Sequence, residues 1–67
     1  MIFSPQIRDR VIDSTIANMI MAGYLRPCKV AQYMAELTAK SDDELASRLC
    51  ASKIVYDDYL EQCWSLN

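Results

Sequence analysis

The chain has 67 residues, no histidine, one glycine, three cysteines and a net charge of −2, with an isoelectric point near 4.8. Such a length allows one domain, 1–67, burying only about 60% of its unfolded surface, so a lone chain is marginal and oligomerisation is an expected remedy. Without histidine, a Gly-rich phosphate loop or a cysteine pair at metal spacing, the common routes to nucleophilic catalysis, nucleotide binding and zinc are closed, and neither an enzyme nor a cofactor or metal protein is expected.

The first helix begins at Ser4 and Pro5. Ser4 is a suitable N-cap, and Pro5 fits the first helical position, where its missing N–H costs nothing. The helix is predicted to run over 5–22 and to stop at Gly23, which can take the left-handed conformation at C′. Its apolar residues fall on two faces. Ile12, Ile16, Met19 and Ile20 share one, and Ile7, Val11, Met21 and Ala22 the other. A helix apolar on two sides is either central or shared between chains, and Ile12, Ile16, Met19 and Ile20 are assigned to a homodimer interface.

Pro27 is read as the first residue of a second helix, 27–40, in which Val30, Tyr33, Met34 and Leu37 fall at i, i+3, i+4 and i+7. The third start is marked by Ser41, Asp42, Asp43 and Glu44, a capping box with acidic residues suited to the helix dipole. That helix is predicted over 42–64, with Leu45, Leu49, Tyr56, Tyr59, Leu60 and Cys63 on one face, Cys50 and Ile54 off it, and Glu44 paired with Arg48. It is long for so small a domain, and its end is expected to overhang the core.

No segment reads as a membrane span or leader. The most apolar window, Ile16 to Ala22, is far below the roughly 20 residues a spanning helix needs, and Arg8, Asp9 and Arg10 interrupt the N-terminal region before any long apolar run. Cys28, Cys50 and Cys63 are odd in number and widely spaced, as expected of free thiols in a reducing cytoplasm.

The segment from Ala35 through Ser41 to Leu49 resembles a bacterial helix-turn-helix, with an alanine, a turn, a serine cap and a following recognition helix. It departs from that pattern at Ala39, where glycine is usual, and at Lys40, where an apolar residue plugs the turn. The resemblance implies a DNA-binding regulator using Arg8, Arg10, Arg26 and Lys29. Against it, Asp42, Asp43 and Glu44 would face phosphates, opposing the attraction that supplies most DNA affinity.

Charge is divided along the chain. Residues 1–40 carry net +2, and residues 41–67 net −4. Asp57, Asp58 and Glu61 lie where the helix dipole disfavours negative charge, beside Trp64, an effective binding anchor. These four are assigned to partner binding, with a basic partner surface expected. The reading is an all-α, compact three-helix domain and helical homodimer that docks on a larger protein and modulates it. In style it is similar to accessory and regulatory proteins of phages and mobile elements, with no motif that names a family.

Overall fold

A computed structural model describes residues 2–65, apart from the side chain of Ser65; Met1, Leu66 and Asn67 of the expected 1–67 domain lie outside the described residues. The fold is all-α, 83% helical with no strand among the described residues. The elements are α1 (Pro5–Met21), a 3-10 turn (Pro27–Lys29), α2 (Val30–Thr38) and α3 (Asp42–Ser65).

Local chemistry sets these boundaries. The Ser4 hydroxyl accepts from the Ile7 amide at 3.2 Å, capping α1. At the other end Gly23 has φ 82°. The Tyr24 amide donates to the Met19 carbonyl and the Gly23 amide to that of Ile20, at 2.9 and 3.0 Å, which is a Schellman closure. A Cβ added to Gly23 would meet nothing within 4 Å, so the glycine is required by its φ and not by crowding. The second helix differs from the prediction. Arg26 offers no side-chain cap, and the chain tightens through Pro27–Lys29 before α-geometry begins at Val30. It also ends at Thr38, two residues before Lys40.

Helix α1 is central. Its buried residues, Val11, Ile12, Thr15 and Ile16, form one broad arc. Ile12 meets the α2 side, lining a cleft with Met34 and Thr38. On the α3 side the Asn18 side-chain amide donates to the Ser52 hydroxyl at 3.2 Å. The buried parts of the two apolar faces are therefore two flanks of one arc, one towards α2 and one towards α3, while Ile7 and Met21 stay exposed. Ile12 and Ile16, each 6% exposed, already belong to this chain's own core and have little surface left for a second copy. Met19 is half-buried and Ile20 exposed at the margin.

The centre of the core is Leu37 and Leu45, both 0% exposed, with Val11, Ile12 and Ile16 around them and Phe3, Leu25, Val30, Tyr33 and Leu49 packed outside. Met34, expected on the inner stripe of the second helix, is largely exposed. Thr15 is wholly buried yet satisfied, its hydroxyl donating to the Val11 carbonyl at 2.8 Å.

Three helix ends meet at Arg8. Its guanidinium pairs with the Asp42 carboxylate and donates to the carbonyls of Thr38 at 2.8 Å and Lys40 at 2.6 Å. The same carboxylate accepts from the Phe3 amide at 2.7 Å. Ser41 caps α3 as expected, accepting from the Glu44 amide at 3.3 Å. Among the described residues Glu44 pairs with Lys40 at 3.8 Å rather than with Arg48.

The Phe3 amide and the Arg8 guanidinium hold the Asp42 carboxyl below its ordinary value of 3.8, partly offset by desolvation. A carboxyl depressed in the folded state stabilises the fold above its unfolded value, and that contribution disappears as pH falls through the folded one. Urea midpoints measured from pH 7 to pH 2 will therefore fall more steeply for the wild type than for Asp42→Asn. At pH 7, Arg8→Met and Asp42→Asn each lower the midpoint, and the double variant loses less than the sum. Leu37→Ala and Leu45→Ala will each cost about 3 kcal/mol in the same assay, whereas Ile54→Ala on the outer face will change it by no more than about 0.5 kcal/mol.

Candidate interaction surface

The body measures 41 × 27 × 16 Å. At 24 residues α3 spans about 36 Å, against about 26 Å for the 17 residues of α1. The inner stripe of α3 consequently outruns its cover. Leu45 is buried and Leu49, Tyr56 and Leu60 half-buried, but Tyr59 is 40% exposed and Cys63 is exposed.

The outer side of α3 carries a second stripe. Cys50, Ile54, Asp57, Glu61 and Trp64 follow one another at intervals of four and three residues, the spacing of a helix-packing seam. All five are exposed, Ile54 at 63% and Trp64 at 75%. Three of the four expected partner-binding residues, Asp57, Glu61 and Trp64, are thereby brought together. Asp58 is not with them. It diverges from Asp57 by about 100° and lines a cleft with Ala22, Gly23, Tyr24, Val55, Tyr59 and Gln62.

Electrostatics mark this half of α3. None of Asp57, Asp58 and Glu61 pairs with a cation among the described residues, and the last turn contains no basic residue to oppose the negative end of the dipole. The Cys63 side chain, through a hydrogen bond and its charge when ionised, raises the Tyr59 phenol above its ordinary value of 10.0, with burial and Tyr56 adding to the effect. Among the described residues no group of three potential ligands could hold a metal ion, and no helix is long and apolar enough to cross a membrane.

The residues implied by a helix-turn-helix are placed differently from that pattern. Arg8 is occupied by Asp42 and the two carbonyls. Arg10, Arg26 and Lys29 are exposed, while Asp43 and Glu44 remain at the surface of the α3 start. Against known proteins, the chain matches no family model, no curated protein and no solved structure. Its functional reading therefore rests on geometry.

Sequence reasoning missed the Arg8 junction and the cleft that Tyr24 and Tyr59 both line. A signal for the first existed, because Arg8 lies four residues before Ile12 and three before Val11, on the buried side of α1. A cation on a core-facing side requires a nearby anion or carbonyls. Nothing local announced the second, which depends on where α3 crosses the end of α1.

The contact between Tyr59 and Cys63 is testable on its own. In an NMR pH titration of the Tyr59 ring resonances the wild-type phenol will ionise above its ordinary range, and Cys63→Ala will return it towards 10.0.

Proposed function

We propose that this chain is a non-enzymatic interaction module that docks on a larger protein through the outer stripe of α3 and modulates it, in the manner of phage or mobile-element accessory proteins. The observation that carries this reading is the stripe itself: Ile54 and Trp64 exposed on one helix face with Asp57 and Glu61 between them. Apolar anchors at helical spacing are how an amphipathic helix engages a groove, and Trp is among the strongest anchors. The unpaired carboxylates favour a partner with a basic surface.

Self-association belongs to the same proposal. A compact monomer of 7.7 kDa should expose about 4,300 Å², whereas this chain exposes 4999 Å². The excess approaches the roughly 800 Å² that each partner contributes to a standard interface. With Ile12 and Ile16 used internally, a homodimer contact on α1 falls to Met19 and Ile20. Cys28, Cys50 and Cys63, all exposed and in no disulfide, suit a reducing cytoplasm.

A DNA-binding role is the second reading, supported by exposed Arg10, Arg26 and Lys29. Immobilised protein offered source-cell lysate after nuclease treatment separates the two. One partner retained by the wild type, lost with Ile54→Asp or Trp64→Ala, and kept with Arg26→Ala is the expected result. Binding abolished by nuclease, or by Arg26→Ala alone, overturns it in favour of DNA. Helicity by circular dichroism will be unchanged in all three variants, since none of these side chains is buried.

A further inference from the structure

The cleft opposite the outer stripe has a chemistry of its own. It encloses about 270 Å³ between the end of α1 and the overhanging half of α3, lined by Ala22, Gly23, Tyr24, Val55, Asp58, Tyr59 and Gln62. That volume is below the roughly 300–1,000 Å³ of small-molecule sites and suits one long side chain. Tyr24 is 70% exposed and Tyr59 40% exposed, so two aromatic rings are left uncovered at the cleft.

Three features of this cleft favour positive charge. Asp58 supplies a carboxylate with no cation paired to it among the described residues. Ala22 and Gly23 are the C-terminal end of α1, where the dipole is negative and no basic residue stands in the last turn. The aromatic faces attract cations through their quadrupoles. Helix closure satisfies the carbonyls of Asn18, Met19 and Ile20, but among the described residues no amide donates to those of Met21 or Ala22.

We propose that this cleft receives an arginine side chain from a basic segment of a partner protein. A guanidinium can stack on a tyrosine ring and donate two hydrogen bonds to one carboxylate, which an ammonium cannot. Charge complementarity selects this occupant: no lysine or arginine follows Lys53 in the chain, so the cationic member of the contact must come from outside this half of α3. The inference uses a different face from the outer stripe and does not depend on it.

The test uses the full chain and a capped peptide containing three arginines among alanine and glutamine, with matched peptides carrying lysine or glutamine instead. NMR titration is expected to move the resonances of Tyr24, Asp58 and Tyr59, with arginine binding several-fold tighter than lysine and glutamine not binding. Asp58→Asn will raise Kd about tenfold, and Asp13→Asn, on the α2 side of α1, will leave it within twofold. Added salt will weaken the interaction. Tyr24→Ser, at an exposed turn, provides a second variant if Asp58→Asn alters the fold. Absence of binding, equal losses with Asp58→Asn and Asp13→Asn, or equal shifts with the glutamine peptide overturns the proposal. So do the same shifts on concentrating the protein alone, which would assign the cleft to a second copy.

Discussion

The Arg8 guanidinium binds the N-terminal half of α1 to both sides of the α2–α3 joint, and the arrangement of the helices depends on it. Asp42 provides the opposing charge, and the carbonyls of Thr38 and Lys40 are the groups that the end of α2 would otherwise leave without donors. At nine residues α2 is too short to persist alone. Leu37 anchors it from within, and Arg8 closes its end. The acidic start of α3 therefore has an internal duty: Asp42 is a tertiary tie before it is part of any surface. This weakens the helix-turn-helix analogy more than the charge count does, because that analogy needs Arg8 and the α3 start to be free.

Once the joint is fixed, the remaining geometry follows from length. α3 is seven residues longer than α1 and starts level with its N-terminal half, so its far end runs beyond the end of α1. There Tyr59, Cys63 and the acidic groups are left without a full complement of neighbours. The outer side of α3 faces away from α1, and among the described residues no helix covers it. Two separate surfaces result, one a stripe with Ile54 and Trp64, the other a cleft walled by tyrosines and closed by Asp58. Both are acidic, and neither is stabilised by the chain that carries it.

Such an arrangement uses little of its apolar content for the fold. Among the described residues six apolar side chains are buried, in a chain whose composition is 52% hydrophobic. Scattered exposed apolar residues are ordinary; Ile54 and Trp64 on one helix face, with unpaired carboxylates between them, are a pattern. Binding would cover the apolar anchors and give the carboxylates counter-charges, two effects that act in the same direction.

By itself the sequence determined the all-α class, the Ser4 and Ser41 caps, the Gly23 stop and most of the residues that would be inside. These follow from interactions within a few residues: a hydroxyl reaching an amide, a positive φ, apolar side chains repeating at helical intervals. Tertiary structure alone decided that α1 packs against two neighbours in one chain, and that Arg8 joins residues thirty or more positions away. It also separated Asp58 from Asp57, Glu61 and Trp64. Adjacent residues on a helix diverge by about 100°, and which direction meets solvent, a neighbour or a cleft is set only by where the other helices end.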